Sequence, residues 1–229
     1  MSHASGSMAR MRAQDAPFRP YWWATSLDEA GVDSRSGDGT YNRYPFEDLP
    51  ETPYPMDGDF AWLARQPAQE EWAIRQDVRE PLAALTSVCE REGVPLPEPF
   101  ARFMGSPDLQ DRIRSTTACY LDLDAGTVPV PGGGRLIRFL ADQQGCLFWY
   151  LFVTEDGADH AVVCTPEYLD SEEATEVEGG EAICFCAESF EAFLCRYWLE
   201  NEIWFATEDG TPMPEVGPAY IERYRALAG

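Results

Sequence analysis

The residue types that could perform chemistry in this chain are few. All 17 basic residues are arginine, so the chain lacks the amine of a phosphate-binding P-loop lysine or a Schiff base. Of its 2 histidines, His3 lies in residues 1–7, a Ser/Gly/His stretch that is typical of a cloning remnant before the second methionine. His160 is therefore the one imidazole that we expect to belong to the folded protein.

Nucleophilic catalysis is the first chemistry to consider, with Cys146, Cys164 or Cys186 as the nucleophile and His160 as the base that activates it. His160 follows Asp-Gly-Ala-Asp at a turn that enters a strand, where an ordinary surface imidazole is typical. Cys184 and Cys186, two apart on a strand, share one face, but a zinc site would need two further ligands. We expect the 7 cysteines to be mostly buried thiols in a reducing compartment.

Carboxylates are the other abundant chemical group, since 40 Asp and Glu residues against 17 arginines give a net charge of −23. A glycosidase-like pair could exist among them, but so many acids also indicate a solvated acidic surface. The charge argues against unaided binding to nucleic acid or an anionic membrane, because both attract cations. The sequence thus points away from an enzyme, and we predict no catalytic residues, no metal and no cofactor.

The elements that must position these residues are predicted from apolar periodicity. Short apolar runs separated by turn residues predict strands, and their brief connections favour antiparallel pairing. The three glycines 132–134 precede a strand-like run, so they indicate a hairpin turn and not a phosphate-binding loop. The predicted strands are 118–123, 135–140, 146–153, 161–164 and 182–186.

Helical spacing brackets this strand region. Apolar residues at three- and four-residue spacing predict a short helical piece at Phe60 and Leu63 and a helix over 67–80 that is interrupted at Pro81. The helical pattern then continues after Pro81 and stops at Gly93. Further helices are predicted over 98–104, from an N-cap at Ser189, and over 216–227. This order predicts an α+β fold, an antiparallel twisted sheet of about five to six strands flanked by helices.

The predicted organisation is an irregular aromatic-rich arm over residues 8–58 and a single α+β domain over 59–229. No run of apolar residues is long enough to cross a bilayer, and no secretory leader opens the chain, so we expect a soluble cytoplasmic protein. Strand 146–153 carries large apolar residues on both faces, with Trp149 on one and Tyr150 on the other. One face can pack on helices, and the other needs the arm, a partner or a second copy, which allows a homodimer.

Several strings in this order resemble the SUKH superfamily, which includes the Smi/Knr cell-wall regulators of yeast and many bacterial immunity proteins. The resemblance covers roughly residues 85–205 and departs from the family pattern after Phe103, where an inserted segment precedes the strands. The matching strings are Leu96-Pro97 leading into Phe100 and Phe103, Gln144-Gly145-Cys146 to Tyr150, Asp156-Gly157, Ser189-Phe190 and Phe193-Leu194.

The resemblance implies a SUKH-like α+β binding domain, and in bacteria an immunity protein that binds a cognate toxin. The acidic charge suits a basic nuclease- or deaminase-like toxin domain. The candidate partner-binding residues are an acidic rim and two aromatic anchors: Glu155, Asp156, Glu172, Glu173, Glu176, Trp149 and Tyr150.

Two alternatives stay open. The first is a regulatory or scaffold module for a non-toxin client; an arm that stays disordered would favour it, and an arm packed on the sheet would count against it. The second is a hydrolase built on a carboxylate pair or on His160 with a cysteine. Full activity after His160→Ala would exclude its cysteine–histidine form.

Overall fold

The computed structural model describes residues 18–25, 27–32, 41–131, 133–172 and 183–228. These residues form an α+β fold, as predicted, in which helices flank one sheet. The strands are β1 Arg19–Thr25, β2 Tyr41–Pro45, β3 Tyr120–Leu121, β4 Val128–Pro129, β5 Arg135–Ala141, β6 Phe148–Val153, β7 His160–Thr165 and β8 Cys184–Ala187. The helices are α1 Ala61–Ala64, α2 Arg79–Glu92, α3 Glu98–Met104, α4 Pro107–Gln110, α5 Phe190–Glu208 and α6 Gly217–Ala228.

The sheet is mixed, and its strand order is β2-β1-β8-β7-β6-β5-β3, with β4 paired to β5. Strands β5 to β8 are antiparallel neighbours, as predicted. Strand β1 runs parallel to β8, with Arg19 opposite Cys184 and Pro20 opposite Phe185. The prediction of a purely antiparallel sheet of about five to six strands was therefore wrong, because β1 joins the sheet from a distant part of the chain.

The described part of the predicted irregular arm supplies both β1 and β2. These strands pair antiparallel, with Trp22 opposite Tyr44. Both side chains are buried in the same core as the helices, and Trp22 Nε1 donates to Glu200 Oε2 on α5 at 2.7 Å. The arm is thus not irregular here, and a boundary at residue 58 does not separate it from the domain. The sequence missed these strands because polar and proline residues interrupt their aromatic pattern.

The sheet has a buried core on each face. On the helical side, Trp149, Leu151 and Val153 of β6 pack in one cluster with α5 and α6. On the other side, Tyr150 and Phe152 pack in a second, smaller cluster, whose members outside the central strands are Phe18, Val128, Val130, Leu169 and Ile183. This second face is therefore covered by the chain itself, so the argument that an uncovered face allows a homodimer no longer applies.

Helix α5 is the central helix, and Ser189 fixes its start as predicted. The Ser189 hydroxyl accepts a hydrogen bond from Ala192 N at 3.1 Å, which satisfies one free amide of the first turn. The next residue, Phe190, makes edge contacts with Phe100 and Phe139 at centroid distances of 5.0 Å and 5.2 Å. These contacts hold α3 and β5 against the beginning of α5.

The helix predicted over 67–80 is wrong, because residues 66–78 are not helical. Trp72 has a φ of 62°, which an α-helix does not accommodate. The backbone of this segment pairs with a later loop and with β3: Ile74 N donates to Ile113 O at 2.9 Å, and Leu121 N of β3 donates to Ile74 O at 2.8 Å. The helix begins at Arg79 instead, so Pro81 lies in the first turn, where its missing N–H needs no partner.

No helix in the described ranges combines the length and the apolar character that a membrane span needs.

Candidate functional site

A concave surface lies between α2 and α3. We call it the α2–α3 groove; it has a volume of about 520 Å³. Buried Cys89 and Val94 form its floor, and half-buried Leu96 and Ala101 form one wall. The complete lining is Thr86, Cys89, Glu90, Gly93, Val94, Pro95, Leu96 and Ala101. The groove is therefore largely apolar, and Glu90 is its one charged lining residue.

The groove exists because α2 and α3 meet at a short, stiff connection. Gly93 ends α2 with a φ of 70°, and its N–H donates to the carbonyls of Cys89 and Glu90. Val94 N then donates to Cys89 O at 3.0 Å, which completes a Schellman-type cap. Pro97 precedes α3 in an extended conformation. The chain thus leaves α2 sharply, and α3 begins beside it without filling the space above Gly93.

The C-terminal end of α2 gives the groove a negative electrostatic environment. The last carbonyls of a helix carry about half a negative charge, and Glu90 adds a full one. Glu92 accepts a hydrogen bond from the Thr127 hydroxyl and forms an ion pair with Arg135 at 3.0 Å. Burial, with a contribution from Glu92, raises the pKa of the Cys89 thiol to about 11. The groove-floor cysteine is therefore a neutral thiol and not an activated nucleophile.

The turn between β6 and β7 packs on a lining residue of this groove and carries two of the predicted contact residues. Glu155 and Asp156 are both exposed on it. Gly157 has a φ of 63°, and a Cβ at that position would lie 2.4 Å from Pro95 Cδ, so the turn packs directly on the groove wall. Hydrogen bonds from Ala158 N and the Thr154 hydroxyl lower the pKa of Asp156 and fix its orientation.

The other predicted rim residues lie on a separate loop. Glu172 is exposed after β7, and its backbone N–H donates to Asp170 at 2.8 Å. Glu173 and Glu176 fall outside the described residues. Glu155 and Asp156 therefore lie on the turn that contacts Pro95 of the groove, and Glu172 lies on a different segment.

No family model matches this chain, and the searches of curated proteins and solved structures returned no match. The resemblance to the SUKH superfamily therefore stays a prediction.

Trp149 and Tyr150 are core residues and not exposed anchors. Both side chains are 0% exposed. The Trp149 ring makes an edge contact with Tyr41 at 5.8 Å. The Tyr150 hydroxyl donates to Glu167 O and accepts from Leu169 N at 2.8 Å. A partner cannot reach either ring in this structure, so their assignment as partner-binding residues is corrected.

His160 contacts the start of α5, and the candidate cysteines differ in their burial. His160 Nε2 accepts a hydrogen bond from Phe190 N at 3.3 Å, which ties β7 to the start of α5. Cys164 is fully buried, and burial followed by its contact with Cys186 raises its thiol pKa well above the usual value. Six of the seven cysteines are buried, which confirms the expectation that most of them are buried thiols, and Cys146 is the exposed exception.

One group of carboxylates in the described ranges has a spacing that could hold a metal ion: Asp57, Asp59 and Glu191. The Glu191 carboxylate already accepts hydrogen bonds from Gly58 N at 2.6 Å, Phe60 N at 3.1 Å and Trp62 Nε1 at 3.1 Å. Burial raises the pKa of Glu191 despite these bonds. The arrangement fixes the 57–62 loop on α5, and this structural role explains the geometry without a metal.

Sequence reasoning missed a buried ionic network on the second face of the sheet. Arg138 of β5 donates to Asp122 at 2.7 Å and to Leu169 O at 3.0 Å, and lies 3.7 Å from an oxygen of Asp124. Its guanidinium also stacks over Tyr168, at 4.2 Å from the ring centroid. A charged residue within an apolar strand run was the available signal, because a buried arginine needs several acceptors. The network fixes the loop after β7 to the sheet.

Proposed function

We propose that this chain is a non-enzymatic binding protein that captures a basic protein domain. In its most specific form, the proposal is a bacterial cytoplasmic immunity protein that neutralises a nuclease- or deaminase-like toxin. The observation that carries it is the excess of carboxylates, 40 against 17 arginines. Such a charge attracts a surface that has evolved to bind phosphate, accelerates encounter, and can occlude that surface once bound.

The position of the acidic groups supports this proposal. Glu90 lines the apolar α2–α3 groove, and Glu155 and Asp156 lie on the turn that packs against Pro95 of its lining. All three are exposed to solvent. An apolar centre with a charged rim is the usual composition of a protein–protein interface. The resemblance to SUKH proteins, with its immunity members, favours the same class of function.

A scaffold for a non-toxin client is the runner-up. The described part of the aromatic arm forms β1 and β2 and packs in the core, with Trp22 almost fully buried. This packing counts against a scaffold that uses the arm as a free interaction segment. It does not distinguish toxin from client at the groove, so the experiment must do so.

The test is capture and neutralisation. The tagged chain is used to retain proteins from its native cell extract at about 0.05 M NaCl, followed by elution at about 0.5 M, where screening is strong. The eluted protein is identified, purified and assayed on nucleic acid with increasing amounts of the tagged chain. We expect the eluted protein to be a basic domain whose activity on nucleic acid falls to zero when about one equivalent of the tagged chain has been added. A captured protein that retains full activity in the complex would overturn the immunity proposal.

A matched pair of variants locates the charge effect. Glu90, Glu155 and Asp156 are changed together to lysine in one variant, and the exposed Glu70, Glu71 and Asp108 in the other. Both variants change the net charge equally, so non-specific attraction falls equally. We expect the first to lose neutralisation and the second to keep most of it, as judged by the inhibitor concentration at half activity.

A further inference from the structure

The α2–α3 groove has open space above an apolar floor. Its volume of about 520 Å³ lies within the ~300–1,000 Å³ of typical ligand pockets. A Cβ at Gly93 would meet no atom within 4 Å, so the space over the end of α2 is unfilled. Cys89 and Val94 at the floor present apolar surface, and Leu96 and Ala101 continue it along the wall. Several apolar side chains of another molecule would fit here.

The charges around this apolar surface select its occupant. Glu90 lines the groove at the negative end of α2, and Glu155 and Asp156 stand on the turn that packs against Pro95. The cations at this end are Arg135, which is paired with Glu92, and Arg91 in the last turn of α2. At the α3 end, Arg102 pairs with Glu98 at 2.6 Å. Glu90 is thus the one charged group among the lining residues, and the adjacent turn adds two exposed carboxylates.

We propose that the α2–α3 groove docks a basic amphipathic segment of a protein partner. Apolar side chains of that segment would enter the groove, and flanking lysine or arginine side chains would meet Glu90, Glu155 and Asp156. The inference rests on the proposed function and specifies where and by which chemistry the basic partner is held. A nucleotide or an acidic peptide would be repelled by the same carboxylates.

Within this proposal the occupant is an amphipathic helix and not a random basic chain. Recognition of a helix in a groove uses apolar anchors that recur on one face. A chain with the same charge but dispersed apolar residues would meet the acidic rim without filling the groove. The two binding modes therefore differ in their dependence on groove shape, which can be tested directly.

The probes are two fluorescein-labelled synthetic peptides of about 14 residues, or about four helical turns. Both consist of leucine and lysine in the same proportions; one places the leucines on a single helical face, and the other is scrambled. Binding to the full chain is measured by fluorescence anisotropy at about 0.1 M NaCl. We expect the amphipathic peptide to bind at least about tenfold more tightly than the scrambled one.

Neighbouring residues of α2 provide a matched pair of variants. Thr86 lines the groove, whereas Ser87 does not, and both are exposed. Both hydroxyls donate to the carbonyl four residues earlier: Thr86 Oγ1 to Leu82 O at 2.7 Å and Ser87 Oγ to Ala83 O at 3.1 Å. Thr86→Tyr should fill the groove and weaken the amphipathic peptide at least about tenfold. Ser87→Tyr adds the same side chain outside the groove and should leave binding unchanged.

The charge contribution is tested with Glu90→Lys against Glu80→Lys. Glu90 lines the groove, and Glu80 is exposed in the first turn of the same helix. We expect Glu90→Lys to weaken the amphipathic peptide several-fold more than Glu80→Lys. Circular dichroism and a urea unfolding curve establish that each variant is folded; because Glu90 is exposed, this pair keeps the test valid if Thr86→Tyr does not fold.

The outcomes separate this inference from the proposed function. Equal binding of both peptides, unaffected by Thr86→Tyr, would overturn the groove assignment but leave capture of basic proteins intact. If neither peptide binds even at about 0.02 M NaCl, both the groove assignment and the capture of basic proteins are overturned. A concentration-dependent dimer, seen by light scattering and abolished by Thr86→Tyr, would assign the groove to a second copy of this chain and overturn the proposed occupant.

Discussion

At the scale of single residues, the buried polar side chains connect parts of the chain that are distant in sequence. Glu200 of α5 accepts hydrogen bonds from Trp22 Nε1 on β1 at 2.7 Å and from the Tyr220 hydroxyl on α6 at 2.7 Å. Glu200 as a whole residue is 2% exposed. Burial raises the pKa of Glu200 to about 7, although Trp22, Tyr220 and Arg196 all favour the charged form.

Glu200 should therefore make stability depend on pH. Because the pKa of Glu200 is higher in the folded chain than the ordinary glutamate value of 4.5, the folded state binds the proton more tightly. The resulting stabilisation is fully present below about pH 4.5 and is lost as the pH rises through about 7. The maximum contribution is about 3 kcal/mol. Urea unfolding at a series of pH values should show this decline in the free energy of unfolding.

Glu200→Gln should flatten the pH dependence between about 4.5 and 7, because the amide does not titrate. Glu222→Gln is the matched change at an exposed position of α6 and should leave the curve parallel to that of the original chain. All three proteins retain His160 and the other titrating groups, so the difference isolates Glu200. An unchanged slope in Glu200→Gln would contradict the prediction.

Two tryptophans test the assignment of Trp149 to the core. Trp149 is 0% exposed, whereas Trp72 is 58% exposed. Trp149→Ala should lower the free energy of unfolding by about 3–5 kcal/mol, because it leaves a cavity between the sheet and α5. Trp72→Ala should change it by less than about 0.5 kcal/mol. If Trp149→Ala were as mild as Trp72→Ala, the side chain would not be packed as the structure shows.

At the scale of elements, the sequence predicted those whose local pattern agrees with their packing. The bounds predicted for α3 match Glu98–Met104, and Gly93 ends α2 as expected from its position after the last apolar residue. Prediction from the sequence failed where contacts between distant segments determine the local structure. Residues 66–78 satisfy their backbone against the 111–121 segment, and β1 pairs with β8 across most of the chain. Neither contact has a local signature.

The N-cap of α5 should contribute measurably to stability. The Ser189 hydroxyl caps Ala192 N in a largely buried position. Ser189→Ala should therefore lower the free energy of unfolding by about 1 kcal/mol, within a range of about 0.5–2 kcal/mol. Ser189→Asp should recover part of this loss, since aspartate is also a good N-cap and suits the positive end of the helix. The midpoint of urea unfolding measures both variants.

Ser87→Ala is the control for that change. Its hydroxyl bonds to Ala83 O within α2 and caps no free amide, so its loss should be neutral or slightly stabilising. Equal effects of Ser189→Ala and Ser87→Ala would mean that the cap does not hold the start of α5.

At the scale of the whole molecule, the candidate site was only partly predictable. The sequence singled out Glu155 and Asp156, because two acids before a glycine mark an exposed turn. It could not predict that this turn packs on Pro95, since that contact joins two segments about sixty residues apart in a particular tertiary arrangement. The groove itself is a space between α2 and α3, so it appears only when both helices have their final positions. Trp149 and Tyr150 were misassigned because the loop and arm residues that cover β6 come from distant segments.

The net charge of −23 should also act on the stability of the free protein. Folding brings like charges closer together, and their repulsion opposes the compact state. Raising NaCl from ~0.05 M to ~0.5 M shortens the screening length from roughly 14 Å to roughly 4 Å. We therefore expect the urea midpoint to rise over this range. Sodium perchlorate at the same ionic strength should raise the midpoint in the same way at first if screening is the cause. A midpoint that falls with both salts would mean that attractive ion pairs, such as Arg114–Glu202 at 2.8 Å, outweigh the repulsion.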